Sequence, residues 1–459
     1  MLRSLSFASL AHRYGGVLLE PDLQFNALST DSRALRRGEV FLALKGDKFD
    51  GHSYLPAAVE RGAPGLIAER RCDKRVPQWV VADSERALGH IAAENRAAYR
   101  GRLVGLTGSA GKTTVKEMLS QILGRCGPTL ATRGNRNNHL GVPLTLLELR
   151  AEHAYAVVEM GASALGEIRY LTEMARPDIA LVTNVGDAHL GEFGSRANIE
   201  RAKGEIFGGL KAGGMGIINL DSAGVARYRR LLKGRRILGF SLCDGAADPV
   251  ADPVADLAAR DIRLTPDGSE FLLVTPAGQG VVRLAVAGRP MVANALAAAA
   301  VCVALEVPLA TVVAGLEGFA GAAGRLASER LAGDITLIDD SYNASPAAAR
   351  AAIDLLAAHA GRTILVLGEM AELGAAAAGL HREVGCYAKE RGIARLLAVG
   401  SLAGHAAAGF GGGAQCVAEC EQAAEALGAM LQPGDAVLVK GSRAARLERL
   451  VCRLREREG

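Results

Sequence analysis

The stretch 106-LTGSAGKTT-114 places two glycines, a lysine and two threonines directly after an apolar run. Residues 102–106 predict a short strand, and residues 115–123 have helical spacing. In that context, backbone N–H groups at Gly108 and Gly111 converge on phosphate oxygens, Lys112 reaches the terminal phosphates, and Thr113 helps to hold magnesium. Leu106 stands where the strict phosphate-loop pattern has glycine, so the match is partial. We predict a loop that binds ATP or GTP.

The composition is typical of a large enzyme without a nucleic-acid partner. A chain of 459 residues is expected to form two to four domains, because single cores rarely grow past roughly 250–300 residues. The 53 basic and 49 acidic residues nearly cancel, so charge gives no argument for nucleic acid. Cys416 and Cys420 lie one helical turn apart, but no second pair completes a zinc site. With no leader pattern and no long apolar run, we expect a cytoplasmic enzyme without membrane insertion.

The segment before the phosphate loop, residues 1–97, contains two polar clusters. A helix is predicted over residues 5–14 and buried strands over 40–44 and 65–68. The clusters are 29-STDSR-33 and 46-GDKFDGH-52. Their donors and acceptors suit a nucleotide or sugar, although, taken alone, the clusters are better explained as capped turns.

The central segment, residues 98–322, alternates strand and helix patterns as parallel α/β sheets do. A strand over 155–160 places Glu159 near its end, and a strand over 179–185 is soon followed by His189. Because ligands bind beyond the carboxyl ends of such strands, both side chains are expected near Lys112, where they suit a divalent cation. The asparagine-rich stretch 132-TRGNRNNHLGVP-143 predicts an exposed loop that presents amide groups.

Later parts of this segment are less informative. The helix predicted over 198–210 carries Lys203, which spacing alone assigns to the surface. Residues 245–256 read as a loop, 261–286 as antiparallel strands, and 294–305 as an alanine-rich helix.

In the final segment, residues 323–459, three polar clusters each follow a predicted strand. They are 339-DDSYNASP-346, 368-GEMAELG-374 and 440-KGSR-443. They either line one crevice or belong to unconnected loops. No GxGxxG fingerprint follows these strands, so a dinucleotide cofactor is not indicated.

Taken together, these motifs resemble the Mur ligases of peptidoglycan synthesis. The resemblance rests on TGSAGKTT, Glu159, 183-TNVGDAHLGEFGS-195, 202-AKGEIF-207, Asn294 and the DDSYNASP cluster, and it runs in matching order from about residue 29 to 443. It implies an α/β fold of three domains: an N-terminal UDP-substrate domain, a central ATPase with a mostly parallel sheet, and a C-terminal Rossmann-like domain. The combination of STDSR, DDSYNASP, GEMAELG and VKGSR is similar to the family members that join D-alanyl-D-alanine to UDP-N-acetylmuramoyl-tripeptide through an acyl phosphate.

The resemblance also implies a set of roles. Lys112, Lys203, His189 and Glu159 are expected to be catalytic, and Thr113, Glu159, His189 and a carbamylated Lys203 to serve magnesium, with two ions expected. Ser32 and Arg33 match the UDP end, and Asn135, Asn137 and Asn138 match the muramoyl side. The expected ATP contacts are Thr107, Gly108, Ser109, Ala110, Gly111, Lys112, Thr113, Thr114, Asn294, Arg325 and Asp340. Nothing in the sequence requires more than a monomer.

Two departures from the family pattern accompany this interpretation. The run 288-GRPMVAN-294 lacks the His-Asn that often precedes the later asparagine, and Ser345 replaces a usual asparagine.

The sequence leaves two rival functions open. One rival is a neighbouring ligase that adds a single amino acid, such as the preceding Mur enzyme or a folate polyglutamate ligase. The DNP-R motif expected of the preceding Mur enzyme is absent, and DDSYNASP occupies the comparable position. The other rival is a phosphate-loop regulator that joins nothing.

Overall fold

A computed structural model describes residues 1–46, 49–186, 190–242 and 255–456. Three large sheets follow one another along the chain. A five-stranded sheet lies within residues 17–80, a nine-stranded sheet within 102–284, and a six-stranded sheet within 327–440. This order is that of an α/β protein with repeated strand and helix units, as the sequence predicts.

The first sheet has the strand order β2-β9-β8-β5-β4, and only the pairing of β2 with β9 is antiparallel. Two small antiparallel pairs, β1 with β3 and β6 with β7, accompany it. The strands and helices are β1 Leu5–Ser6, α1 Phe7–Tyr14, β2 Val17–Leu19, β3 Gln24–Phe25, β4 Leu28–Ser29, β5 Val40–Leu42, β6 Lys45–Gly46, β7 Phe49–Asp50, α2 Leu55–Glu60, β8 Leu66–Ala68, β9 Gln78–Val80 and α3 Ser84–Ala98.

The nine-stranded sheet has the order β11-β12-β10-β13-β14-β15-β16-β17-β18, parallel as far as β16 and antiparallel from β16 to β18. Its elements are β10 Arg102–Thr107, α4 Lys112–Gly124, β11 Thr129–Ala131, α5 Gly141–Leu147, β12 Tyr155–Glu159, α6 Glu167–Ala175, β13 Ile179–Val182, α7 Leu190–Phe193, α8 Arg196–Gly204, β14 Met215–Asn219, α9 Val225–Leu231, β15 Arg236–Ser241, β16 Leu257–Thr265, β17 Gly268–Thr275, β18 Gly278–Leu284, α10 Arg289–Ala304 and α11 Leu309–Glu317.

The third sheet has the order β19-β20-β24-β21-β22-β23, and only β19 is antiparallel to its neighbour. Its elements are β19 Ala327–Leu331, β20 Ile335–Asp340, α12 Pro346–Ala357, β21 Thr363–Gly368, α13 Ala377–Glu390, β22 Arg395–Val399, α14 Gly404–Phe410, β23 Ala414–Val417, α15 Cys420–Met430, β24 Ala436–Lys440 and α16 Glu448–Glu456.

Strand β10 occupies the position that places the site. It pairs with β12 on one side and with β13 on the other. After β10, the chain first adds β11 and β12 on one side of it and then adds β13 on the opposite side. Such a change of direction opens a crevice at the carboxyl ends of the strands. Helix α4 starts in this crevice after Gly111, whose φ is 81°. Val115, Met118 and Ile122 turn into the core at helical spacing and anchor the helix.

Two helices differ most from the predicted bounds, while the helix predicted over 5–14 begins two residues later, at Phe7. Helix α10 begins at Arg289 rather than at residue 294, because Gly288 has a φ of 107° and Pro290 occupies the first turn, where proline is favoured. The helix predicted over 198–210 stops at Gly204, and residues 205–209 form a 3-10 turn. In that turn, Glu205 accepts hydrogen bonds from Gly166 N and Arg169 N and so caps α6. The predicted loop at 245–256 lies largely outside the described residues.

The close packing of α11 on α4 can be tested at Gly315. A Cβ at this residue would lie 2.6 Å from Ile122 Cγ1 and 2.9 Å from its Cα. We expect Gly315→Ala to lower the free energy of unfolding by about 1–3 kcal/mol because it overpacks this contact. The measurement is urea denaturation followed by circular dichroism. In the control Gly124→Ala, the new Cβ meets nothing within 4 Å. Equal stability of the two variants would contradict the proposed overpacking.

Candidate active site

The loop between β10 and α4 is braced by the end of the neighbouring strand β13. Ser109 N donates to Asn184 O at 3.0 Å, and Ala110 N donates to Asn184 Oδ1 at 2.9 Å. The Thr183 hydroxyl donates to Ala110 O at 2.6 Å. A Cβ at Gly108 would lie 1.9 Å from Thr183 Oγ1, so glycine is required for this close approach. The loop is therefore held in shape before any ligand binds.

Glu159 is the centre of a hydrogen-bonded group at the carboxyl end of β12. Its two carboxylate oxygens accept from the Thr113 hydroxyl at 3.0 Å and from Asn137 Nδ2 at 2.7 Å. Its backbone N–H donates to Thr132 Oγ1 at 3.0 Å, and Glu159 is buried. The sequence prediction that Glu159 faces the phosphate loop agrees with this geometry.

A guanidinium from the start of the third segment enters the same group. Arg325 Nη2 donates to Thr113 Oγ1 at 3.0 Å, and its Cζ lies 4.3 Å from the ring centre of Tyr342. Lys440 Nζ donates to Asp340 Oδ2 and, at 3.0 Å, to Asn343 O. Burial raises the pKa of Asp340, while Lys440 and then Arg325 act in the opposite direction. Arg325 therefore links the third segment to the start of α4, and its charge also acts on Asp340.

Lys112 and Lys203 are two ammonium groups in the same neighbourhood. Lys112 Nζ donates to Gly108 O at 2.7 Å, and Lys203 Nζ lies 3.5 Å from Ala162 O. Burial lowers the pKa of Lys112, and it lowers the pKa of Lys203 to about 7, with the charge of Lys112 adding to the shift. Lys203 is only 1% exposed, so its assignment to the surface from spacing alone was wrong. Burial gives it a largely neutral amine just above neutral pH.

The other predicted residues fall into several places. Thr107 ends β10, Thr114 lies on the buried side of α4, and Asn294 lies against Gly111, where a Cβ would be 2.2 Å from Asn294 Oδ1. Asn138 Oδ1 accepts from Gly141 N, the first residue of α5, at 2.9 Å, whereas Asn135 is exposed.

The two residues predicted for the UDP end lie after β4 in the first sheet. Ser32 is buried, and its backbone O accepts from Arg61 at 2.9 Å. Arg33 is exposed and pairs with Asp31. His189 lies outside the described residues, so its predicted proximity to Lys112 stays a prediction.

Sequence reasoning assigned no role to several residues that shape this site. Thr183 and Asn184 lie in the quoted TNVGDAHLGEFGS segment, and Tyr342 and Lys440 lie in polar clusters, but their partners are remote in sequence. Thr132 begins the asparagine-rich stretch over residues 132–143, and its hydroxyl accepts from Glu159 N. The signal available in the sequence was that these residues lie in polar clusters near strand ends. That signal does not specify which residues they contact.

Three family models match the chain in order. The model described as "Mur ligase family, catalytic domain" matches residues 24–96, the "Mur ligase middle domain" matches 106–302, and the "Mur ligase, glutamate ligase domain" matches 324–443. The chain belongs to the Mur ligase family. It is an ATP-dependent ligase that forms amide bonds.

Individual relatives match this Mur ligase along its whole length. The UDP-N-acetylmuramoyl-tripeptide--D-alanyl-D-alanine ligase of Escherichia coli K12 is 41% identical over 455 residues, with 99% of each chain covered. A crystal structure of MurF from Acinetobacter baumannii is 38% identical, with a TM-score of 0.90 and 99% coverage of each chain. The MurF ligase of Thermotoga maritima in complex with ADP is 29% identical, with a TM-score of 0.84 and coverage of 94% of this chain and 97% of that one.

Within the described ranges, no group of three or more His, Cys, Asp or Glu side chains is placed to hold a metal ion. None of the helices in those ranges combines the length and apolar character needed to cross a bilayer.

The buried amine of Lys203 predicts a stability change with a characteristic pH dependence. The pKa of Lys203 in the folded protein is about 7, below the ordinary 10.5. Between pH 7 and pH 10.5 the unfolded chain therefore binds one more proton than the folded chain. The free-energy penalty for burying this lysine shrinks as pH rises through that range. In chelator-treated protein without carbon dioxide, Lys203→Met is expected to raise the free energy of unfolding at pH 6.5 by about 2–4 kcal/mol, and by clearly less at pH 9.5. Urea denaturation at both pH values measures this difference.

The control for that comparison is Lys233→Met, which changes an exposed lysine. It is expected to leave stability unchanged at both pH values. A loss of stability in Lys203→Met at pH 6.5, or a gain that does not shrink at pH 9.5, would show that burial of the charge carries no such penalty.

Proposed function

We propose that this Mur ligase joins D-alanyl-D-alanine to UDP-N-acetylmuramoyl-tripeptide. The products are ADP, phosphate and UDP-N-acetylmuramoyl-pentapeptide, a precursor for peptidoglycan synthesis. The observation that carries this proposal is the end-to-end likeness to the Escherichia coli ligase of that name, at 41% identity over 455 residues. The contacts of Lys112, Thr113 and Glu159 support it, because they place a cation, a hydroxyl and a carboxylate around the phosphate loop.

The first step makes the substrate carboxylate reactive. A carboxylate is a poor electrophile, because its leaving group would be an oxide. Its oxygen attacks the γ-phosphorus of ATP, the bond from that phosphorus to the ADP oxygen breaks, and an acyl phosphate forms. Charge on the transferred group must be neutralised throughout. We assign Lys112 as the main counter-ion for this charge. Arg325, from the third segment, donates to the neighbouring Thr113 and adds a second cation.

The second step forms the amide bond. The neutral amine of D-alanyl-D-alanine attacks the acyl carbon and gives a tetrahedral intermediate. Phosphate then leaves with the electrons of the acyl–oxygen bond, and the attacking nitrogen loses a proton. The protein contributes positioning and exclusion of water, since the acyl phosphate would otherwise hydrolyse.

The side chains around Glu159 fit a magnesium ion. Thr113 Oγ1 and Glu159 Oε2 lie 3.0 Å apart, and oxygen ligands of this kind are those that Mg²⁺ prefers. We assign Thr113, Glu159, His189 and Lys203 to metal binding, with two ions expected. When bound, magnesium neutralises phosphate charge and orients the reacting oxygens.

Lys203 enters this set only as a carbamate. A neutral amine reacts with carbon dioxide to give an anionic oxygen ligand, and the pKa of about 7 supplies neutral amine near physiological pH. The buried position of Lys203 next to Ala162 O supports this assignment. The described residues give this buried amine no carboxylate contact, and burial without a counter-charge favours loss of the positive charge.

The remaining parts of the proposal concern segments and surroundings. Residues 1–97 bind the UDP end through Ser32 and Arg33, residues 98–322 bind ATP, and residues 323–459 bring the dipeptide. Asn135, Asn137 and Asn138 serve the muramoyl side, and Asn294, Arg325 and Asp340 the nucleotide. We infer a monomer, since one chain supplies every segment, and a cytoplasmic location, since ATP is the phosphoryl donor.

The deciding measurement is phosphate release from ATP with UDP-N-acetylmuramoyl-tripeptide and different acceptors. We expect release, and a pentapeptide product by mass spectrometry, with D-alanyl-D-alanine but not with single amino acids. Release with a single amino acid would move the protein to a neighbouring ligase. No release with any acceptor would favour a nucleotide-binding regulator.

Two variants serve as controls for that assay. Lys112→Ala is expected to abolish turnover, because developing phosphate charge loses its counter-ion. Lys233→Ala changes an exposed lysine and is expected to retain wild-type turnover. An active Lys112→Ala enzyme would be incompatible with the assigned phosphate site.

The carbamate is tested by replacing its carrier. Lys203→Ala is expected to lose most activity, and a small added carboxylic acid is expected to restore part of it by supplying the missing anionic oxygens. The rescue is measured as turnover against acid concentration, with Lys112→Ala as the variant that the acid should not rescue. Full activity of Lys203→Ala without any acid would remove the carbamate from the mechanism.

A further inference from the structure

Lys116 is a buried lysine that has no part in the proposed reaction steps. It lies on α4, four residues after Lys112 and three after Thr113. Residues at these spacings are neighbours on a helix surface, so Lys116 extends the face that carries the two phosphate-loop side chains. Its side chain is only 2% exposed. A buried ammonium group needs hydrogen-bond acceptors, and the acceptors of Lys116 identify the segment that it holds.

The ammonium group of Lys116 has two described acceptors. Its Nζ donates to Thr132 O at 2.8 Å and lies 2.7 Å from Glu117 Oε1. The Glu117 side chain is 43% exposed, so water competes for that ion pair. Thr132 is buried, and a hydrogen bond shielded from water is the stronger one. The Thr132 contact is therefore the one that fixes Lys116.

Thr132 is the residue at which the chain leaves the parallel ladder between β11 and β12. Ala131 still pairs with Val157, and Thr132 N donates to Val157 O at 3.0 Å. In a regular parallel ladder, the next bond would run from Glu159 N to Thr132 O. Glu159 N donates instead to the Thr132 hydroxyl, and Lys116 takes the carbonyl. The ammonium group thus satisfies a buried acceptor that the sheet leaves without its regular partner.

The chain that follows Thr132 returns to Glu159 at a second point. Residues 133–136 are exposed. Asn137 Nδ2 then donates to Glu159 Oε1 at 2.7 Å, and Asn137 O accepts from Gly161 N at 2.8 Å. A Cβ at Gly161 would lie 2.9 Å from Asn137 Oδ1, so the two segments are in close contact. Glu159 is held at its backbone by Thr132 and at its carboxylate by Asn137, and Lys116 ties the first of these points to α4.

We propose that Lys116 is a positioning residue for Glu159 and for the start of the asparagine-rich stretch. Without its ammonium group, Thr132 O is free to accept from Glu159 N as in a regular ladder, and the hydroxyl loses its place. Asn137 and the Glu159 carboxylate then lose their fixed relation to Thr113. This inference rests on the proposed function and adds to it a residue that acts on the site only through Thr132.

The first measurement is amide hydrogen exchange of the full-length protein without ligands, followed over residues 132–140. Lys116→Met keeps a long buried side chain but removes the donor. We expect exchange in this stretch to become about 10-fold faster or more, the effect of losing one hydrogen bond from a charged donor. Glu117→Gln removes the exposed carboxylate and is expected to exchange like wild type, because the contact of Lys116 with Thr132 remains.

The second measurement is ADP binding by titration calorimetry, with magnesium and with a chelator. Lys116→Met is expected to lose about 10- to 100-fold of the affinity that magnesium adds, because the contacts that orient Glu159 are lost. Its ADP affinity in chelator is expected to stay close to wild type, since Lys112 and the phosphate loop are unchanged. A general loss of stability would weaken both affinities alike, so the split between them identifies a positioning role.

Thr132 supplies a matched pair of variants that leaves the buried lysine in place. Thr132→Val keeps the backbone carbonyl and the shape of the side chain but removes the hydroxyl, and it is expected to reproduce the magnesium defect. Thr132→Ser keeps the hydroxyl and is expected to bind ADP like wild type in both conditions. This pair decides the question if Lys116→Met does not fold.

Three results would overturn the inference. The first is wild-type exchange and wild-type magnesium-dependent ADP binding in a folded Lys116→Met protein. The second is wild-type magnesium-dependent binding in Thr132→Val. The third is an equal defect in Lys116→Met and Glu117→Gln, because the ion pair and not the bond to Thr132 would then carry the effect.

Neither measurement requires product formation, so failure of this inference is distinguishable from failure of the proposed function. A wild-type protein that makes no pentapeptide, while Lys116→Met shows both defects, would refute the ligase assignment and retain the positioning role. A wild-type protein that makes the pentapeptide, with unchanged exchange and binding in Lys116→Met, would refute the positioning role alone.

Discussion

The burial of two lysine amines near the phosphate loop is the constraint on which the rest of this site depends. Lys112 and Lys203 donate to backbone oxygens of Gly108 and Ala162, and the described contacts give neither a carboxylate within ion-pair distance. Glu159 is meanwhile occupied by two neutral donors, the Thr113 hydroxyl and Asn137 Nδ2. Burial of cations in this state costs free energy. An anionic ligand relieves that cost, so the site favours phosphate before phosphate arrives.

The sheet supplies the rigidity that this arrangement needs. Strand β10 is flanked by β12 and β13, which bring Glu159 and the bracing pair Thr183 and Asn184 to the loop. A loop held by neighbouring strands loses little conformational entropy when a nucleotide binds. The third segment adds one further contact to the loop, the hydrogen bond from Arg325 to Thr113.

Local patterns predicted much of this, since they depend on residues close in sequence. The loop at 106–114, the strand that carries Glu159 and the polar ends of the C-terminal strands follow from spacing and from the direction of parallel strands. Lys203 could not be placed that way, because its burial depends on α8 packing beneath residues around 162 and 193. Helix α10 began early for a reason visible in the sequence, since Gly288 and Pro290 are start signals that the alanine-rich run obscured. The contact of Arg325 with Thr113 spans 212 positions, and no local pattern encodes it.

That contact bears on how ligand binding and segment movement are coupled. The Thr113 hydroxyl donates to Glu159 and accepts from Arg325, so a guanidinium occupies the oxygen that the proposed magnesium ion would use. If magnesium and ATP bind as proposed, Thr113 and Glu159 would hold the ion and phosphate charge would lie nearby. A phosphate oxygen would then offer Arg325 an anionic acceptor in place of a neutral hydroxyl, which makes the stronger hydrogen bond. Arg325 lies two residues before β19 and over the Tyr342 ring, so its hydrogen bond to Thr113 ties the phosphate loop to the third sheet.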